Sequence, residues 1–318
     1  MIVEYIQIKT LWYIMIMFCW IIEGDSETAL DLIKEPVQLV FTSPPYFTMR
    51  FSLKAEDKPD FIKEWEDSDV YRAYEGYLDK MKRIFQKIYK VLEEGRVFAC
   101  NIGDYREQGI KFPIPADFIR ICRDIGFTYE DDIIWYKGDA MEGLKACKRA
   151  GNFIKHGFPL YYRPDNTYEH VLIFRKGNID YDRYNKEYKI DYVNYRDYLK
   201  DLWHIPPVPR NKPLTHPSGF PEKLVEMVVT FYSLPGETVL DPFAGAGTTN
   251  KVALSTGRNT IAIEIDPEWI EVIKRKVGFG QKNLVGSMEW RFSVSGQGSN
   301  YSTENSEQGD NQSPEPVT

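Results

Sequence analysis

The sequence predicts a doubly wound α/β fold, a mostly parallel sheet with helices on both faces. Three observations carry this expectation. Short apolar runs alternate with stretches whose apolar residues recur every three or four positions, the rhythm of strand–helix–strand units. A glycine-rich turn (DPFAGAGTT) joins one such run to one such helix. A further apolar run, residues 261–266 (IAIEID), follows it and ends in carboxylates.

The first element is the apolar run 11–22 (LWYIMIMFCWII). Its 12 residues fall short of the ~20 that span a bilayer, and it lacks the basic leader and small-residue cleavage site of a signal peptide. Residues 1–23 therefore read as a buried strand or an apolar N-terminal element of uncertain role. A membrane-associated segment and an over-extended start are the alternatives, and a soluble, cytoplasmic protein is expected. Residues 37–42 (VQLVFT) read as a buried strand stopped by two prolines. Over 74–92, Tyr77, Leu78, Met81, Ile84, Phe85, Ile88 and Leu92 fall at helical spacing, with Gly95 at the exit. A strand over 96–102, a helix over 116–125 stopped by Gly126, and strands over 132–136 and 171–174 come next. After a polar, Tyr-rich stretch the pattern closes with a helix over 220–233, a strand over 238–240, a helix over 248–255, a strand over 260–265 and a helix over 267–276. From residue 286 the chain turns to Ser, Gly, Asn, Gln and Glu, with almost nothing apolar beyond Phe292 and Val294. Residues 286–318 are expected to form a disordered polar tail.

Composition narrows the class. With 43% hydrophobic residues the chain fills a sizeable core, which excludes disorder throughout. Cys19, Cys100, Cys122 and Cys147 are far apart with no CxxC pair, which argues against a disulfide scaffold or zinc ribbon and for a reducing compartment. Forty basic against 47 acidic side chains exclude a globally basic coat but leave room for a local basic groove. His156, His170, His204 and His216 have no metal-ligand spacing, so no metal site is expected.

Two turns carry chemistry. In residues 238–249 (TVLDPFAGAGTT), Gly245 and Gly247 let the backbone pass through positive φ and approach a ligand at a helix N-terminus. No Lys-Ser/Thr follows them, so this is not a P-loop. Asn250 stands where the third glycine of GxGxxG would be, so a dinucleotide pyrophosphate is disfavoured. Asp241 at the strand end suits a cation such as an ammonium group. Glu264, at the end of the next strand, is placed to hydrogen-bond a ribose diol, with Asp266 as cap of the helix beyond. An adenosine-type cofactor bearing an ammonium group points to S-adenosylmethionine, against the plainer reading of two ordinary strand–turn–helix units. The second turn is Ser43-Pro44-Pro45-Tyr46. Its prolines stiffen the backbone and remove two donors, so the Ser43 hydroxyl and the Pro44 carbonyl can grip a planar group bearing an NH2 beside an aromatic ring. Here the plainer reading is a rigid turn with Tyr46 in the core.

Together these segments resemble the amino-methylating DNA methyltransferases, which modify N4 of cytosine or N6 of adenine. Ser43 to Tyr46 match the family's catalytic [DNS]PP[YFW], and Asp241 to Thr249 match its cofactor motif DPFxGxGTT. The catalytic motif comes first, as in the permuted group often called beta. Gly24-Asp25-Ser26, NIGD (101–104), TYEHVLIFRKG (167–177) and THPSGFPEKLVE (215–226) extend the resemblance over residues 24–277. It implies a seven-stranded S-adenosylmethionine-dependent methyltransferase domain over 24–285 with a target-recognition insert at about 178–212. It implies that Asp25 contacts the cofactor adenine, Asp241 its amino end and Glu264 its ribose. Phe243, Gly245, Gly247, Thr42 and Thr248 would line the cofactor, with Pro217 and Phe220 in the last cofactor motif. A flipped-out base would stack on Tyr46. Double-stranded DNA is then the substrate, and a cognate restriction endonuclease a possible partner.

Ser rather than Asp at position 43 tilts the expectation toward N4-cytosine, with N6-adenine as the alternative. No Pro-Cys nucleophile of the C5-cytosine kind is present. Residues 137–163 hold six basic side chains against two acidic ones, a local charge of +4, and Lys145, Lys148, Arg149 and Lys155 are expected to touch phosphate. In the insert, tyrosines at three- and four-residue steps interleave with Arg183, Lys186 and other basic residues. This reads equally as a helix packed on the domain and as a DNA-facing surface. Two rival classes remain: a methyltransferase for RNA or protein glutamine, which would lack the insert, and an inactive DNA-binding scaffold, which would have lost Asp241 and Glu264.

Overall fold

A computed structural model describes residues 17–47, 69–107, 109–138, 158–161, 167–183, 188–190, 192–208, 219–281 and 288–296. The chain runs β1 (Met17–Glu23), α1 (Ser26–Ala29), β2 (Val37–Thr42), α2 (Val70–Val91), β3 (Leu92–Ile102), β4 (Tyr105–Glu107), β5 (Ile110–Phe112), α3 (Ile114–Ile125) and β6 (Phe127–Tyr136). It continues with β7 (Tyr168–Lys176), α4 (Tyr192–Tyr195), β8 (Leu202–His204), α5 (Glu222–Tyr232), β9 (Thr238–Asp241), α6 (Thr248–Ser255), β10 (Asn259–Glu264), α7 (Pro267–Val277) and β11 (Met288–Val294).

One sheet has the order β11-β1-β10-β9-β2-β3-β7-β6-β8, and β4-β5 form a separate hairpin. Neighbours from β11 to β3 are all parallel, and β7 runs antiparallel to β3 and β6. Successive strand residues face opposite sides, which explains the two layers of helices. In β2, Leu39 and Phe41 join Leu224 and Val228 of α5 and Val252 of α6 in one core. Val40 joins Ile84 and Phe85 of α2 and Phe118 of α3 in the other. Helix α7 extends the first side, its Ile270 and Ile273 lying on Cys19 and Ile21 of β1. The expected doubly wound fold is what forms.

The differences lie mostly at the edges. The sheet has nine strands instead of seven. Residues 288–294 are not tail: they pair in parallel with all of β1, and Trp290 is buried against Phe279 at 5.1 Å between ring centres. Met288, Trp290 and Phe292 alternate with polar residues at the two-residue period of a strand, a pattern outweighed by the polar composition that follows. Residues 17–23 likewise belong to the domain, as an inner strand with Cys19 to Ile22 buried. The other added strand, β8, arises within the Tyr-rich stretch, where Trp203 is buried beside β6. Gly126 caps α3 with φ 118°, as expected. Gly95 does not end α2, which stops at Val91; it lies inside β3 with φ 79°, where a Cβ would stand 2.8 Å from the Asn178 carbonyl. Among the described residues no helix is long and apolar enough to cross a membrane.

Candidate active site

From β9 the chain steps outward through β10, while from β2 it steps the other way to β3. Strand order therefore reverses between β9 and β2, and in open α/β sheets ligands bind outside the carboxyl ends at that point. Both sequence motifs end here. Leu39 pairs with Val239 and Val40 with Leu240, and just beyond, Thr42 Oγ1 donates to Asp241 Oδ1 at 2.6 Å. One hydrogen bond thus ties the residue before the Ser43–Tyr46 turn to the first residue of the glycine-rich turn.

On the cofactor-motif side, Asp241 is buried and also accepts from Phe243 N at 3.1 Å. Burial pushes its carboxyl up to about 6, against the lowering effect of the hydroxyl and backbone donors around it. Gly245 N and the amides of Ile265 and Asp266 donate to the Glu264 carboxylate, while burial raises its pKa. Asp266 caps α7 through Glu268 N, as expected. Gly245 and Gly247 have φ of 50° and 70°, and a Cβ on Gly247 would stand 3.1 Å from Ile273. Gly247→Ala should therefore lower unfolding stability by ~1–3 kcal/mol in a denaturant titration; an unchanged midpoint would show that neither φ nor Ile273 constrains the position. Thr248 Oγ1 accepts from Lys276 Nζ at 3.2 Å. Asn250, in place of a third glycine, donates to Thr260 Oγ1 and the Ile261 carbonyl, docking α6 onto β10.

At the end of β1, Asp25 Oδ1 caps α1 through Glu27 N at 2.7 Å, and Oδ2 accepts from Lys80 Nζ at 2.9 Å. Lys80 is a lysine buried on α2, and nothing in its local sequence marks it as a partner of Asp25. Ser26 Oγ donates to the Pro242 carbonyl at 2.5 Å, joining this loop to the glycine-rich turn. The carboxylates of Asp25, Glu264 and Asp241 therefore lie at the ends of three consecutive parallel strands, β1, β10 and β9. A cation with a diol fits that donor set.

On the other side, Pro44 is buried, and Ser43, Pro45 and Tyr46 are half-buried. The turn is anchored by Phe47, whose ring meets Tyr74, Tyr77 and Phe112. Tyr46 accepts a hydrogen bond from Gly103 N at 3.1 Å. Burial first, then the neighbouring Glu169 carboxylate, hold its hydroxyl well above the usual tyrosine range, so it stays protonated. Burial also pushes up the thiols of Cys19, Cys100 and Cys122, leaving none a ready nucleophile.

Phe220 is buried in the core on Phe41, ring centres 5.2 Å apart, beside the carboxyl end of β2. Pro217, Lys145, Lys148, Arg149, Lys155 and Lys186 lie outside the described residues, and Arg183 is placed only as backbone in a short turn. Lys137, counted in the basic stretch, is paired with Glu169. The tyrosine ladder is not one helix but separate short turns. Tyr195 and Tyr198 pack on Phe231 and Trp203, with Lys223 Nζ over both rings, whereas Tyr181 is 68% exposed.

A doubly wound sheet with acidic strand ends at its switch point fits an S-adenosylmethionine-dependent methyltransferase. Residues 37–275 match the N6/N4 DNA methylase family, and the chain belongs to it. It is 30% identical over 299 residues to the type II methyltransferase M.MjaI of Methanocaldococcus jannaschii, covering 83% of this chain and 92% of that one. To the orphan methyltransferase M.BamHII of Bacillus amyloliquefaciens it is 27% identical, with 76% and 88% covered. Among solved structures, a DNA modification methylase of Thermus thermophilus complexed with S-adenosyl-L-methionine superposes with a TM-score of 0.59 at 25% identity, covering 85% of this chain and 98% of that one.

Proposed function

We propose that this DNA methyltransferase modifies N4 of cytosine in a specific double-stranded sequence. The observation that supports the reading is the Thr42–Asp241 hydrogen bond, which joins the Ser43–Tyr46 turn to the glycine-rich turn. S-adenosylmethionine supplies an activated methyl group on a sulfonium. Asp241 would hold its ammonium group, Glu264 its ribose, and Asp25 its adenine, with Thr42, Phe243, Gly245, Gly247 and Thr248 around it. Ser43 Oγ and the Pro44 carbonyl accept hydrogen bonds from the exocyclic amine, favouring a pyramidal nitrogen whose lone pair is localised for in-line attack. Positioning and preorganised acceptors supply the rate, and no covalent enzyme intermediate is needed. Flipping the base costs a few kcal/mol, and stacking on Tyr46 would return ~1–3 kcal/mol of it.

Ser43 at the head of the catalytic motif favours cytosine over adenine. Basic residues of the 137–163 stretch and of the insert would contact phosphates. A cytoplasmic enzyme with a restriction endonuclease of the same specificity fits the type II relatives, and the orphan relative shows the other possibility. The test is to incubate the protein with unmethylated DNA and cofactor, digest to nucleosides and weigh the product. N4-methyldeoxycytidine is expected. N6-methyldeoxyadenosine would overturn the choice of base, and no methylated nucleoside the function itself.

A further inference from the structure

A ring that stacks on a base uses only its faces, so the Tyr46 hydroxyl has another role. Its oxygen accepts from Gly103 N at 3.1 Å, and its proton is directed at the Glu169 carboxylate. Glu169 is held in turn by an ion pair with Lys137 Nζ. The three supports come from different strands: Gly103 follows β3, Glu169 lies in β7 and Lys137 follows β6. Trp135 pairs with Glu169 in the β6–β7 ladder, and Lys137 Nζ lies 4.7 Å from its ring centre, so the ammonium is enclosed by a carboxylate and an aromatic face. Lys137 N also donates to the Thr167 carbonyl at 2.8 Å. The junction is tight: a Cβ on Gly103 would stand 3.0 Å from Glu169 Cγ and 3.4 Å from Tyr46 Oη.

We propose that Glu169, held by Lys137, is a positioning residue that fixes where the Tyr46 ring sits at the catalytic turn. Glu169 takes no proton from the substrate and touches no reacting atom; it acts through the tyrosine hydroxyl. The ring of Tyr46 could otherwise swing about its Cα–Cβ bond, and a misplaced stacking face would misdirect the amine. Because Glu169 lies on β7 and Lys137 directly follows β6, the catalytic turn is braced by the antiparallel half of the sheet, which leads into the DNA-recognition segments.

The inference rests on Tyr46 facing the base, and its test separates the two. Wild type, Tyr46→Phe, Glu169→Gln and the double variant are compared for kcat, KM for DNA and cofactor affinity. Each single change should lower kcat ~10-fold with cofactor affinity unchanged. In the Tyr46→Phe background, Glu169→Gln should cost less than about twofold, since the hydroxyl through which it acts is gone. Losses that multiply in the double variant, or a Tyr46→Phe enzyme at wild-type rate, would overturn the proposal. Should Glu169→Gln fail to fold, Lys137→Met in the same two backgrounds gives the same comparison with the same two outcomes. A wild-type protein that methylates no DNA would instead overturn the proposed function.

Discussion

Ser43→Ala is expected to lower turnover ~10²-fold while S-adenosylmethionine binds within about twofold of wild type. Ser43 is half-buried on the Ser43–Tyr46 turn, and the hydroxyl that ties the turn to Asp241 belongs to its neighbour Thr42. Removing the serine oxygen therefore deletes one proposed acceptor for the target amine and leaves the Thr42–Asp241 contact standing. Single-turnover methylation read beside equilibrium binding of the cofactor separates the two effects. If binding collapses with the rate, Ser43 supports the cofactor turn and the assigned role is wrong.

Asp241→Asn should do the reverse, weakening cofactor binding ~10–100-fold through loss of a charge-assisted contact. Asparagine keeps an acceptor for Thr42 Oγ1 and Phe243 N, so the junction between the strands persists. The wild-type carboxyl, raised to about 6, adds a pH signature. Only its ionised form attracts an ammonium group, so affinity should fall about tenfold per pH unit below 6. Folding stability runs the other way. The folded carboxyl binds its proton more tightly than the unfolded one, so ionisation destabilises the fold as pH rises from the ordinary aspartate value of 3.8 to about 6. Isothermal titration and denaturant melts across that range should show both slopes weaker in the asparagine variant than in the wild type, the remainder belonging to groups such as Glu264, whose carboxyl burial also raises. A flat affinity profile would mean that Asp241 does not hold the cation.

What was legible in the sequence was the chemistry carried by contiguous segments. Asp241, Gly245 and Gly247 stand together because a strand end, a positive-φ turn and a helix start must be consecutive. The prolines mark the other turn for the same reason. Parallel strands order their carboxyl ends along one edge, so finding the two motifs side by side required only the fold class. The partners that hold these groups were hidden. Lys80 reads as one of several charged residues on an amphipathic helix, yet the structure buries it on Asp25. Glu169 and Lys137 are ordinary strand-end charges until antiparallel pairing of β6 and β7 sets them together. Edge strands β8 and β11 were missed because three residues, or seven beside a polar tail, give too short a periodic signal.

The position of β1 between β10 and β11 bears on how the protein is made. Its two neighbours in the sheet come from residues 259–264 and 288–294. A ribosome therefore releases Cys19, Trp20, Ile21 and Ile22 long before either pairing edge exists. Until residues 259–294 have been made, this strand has no native place to dock, and assembly of that side of the sheet waits on a non-local step.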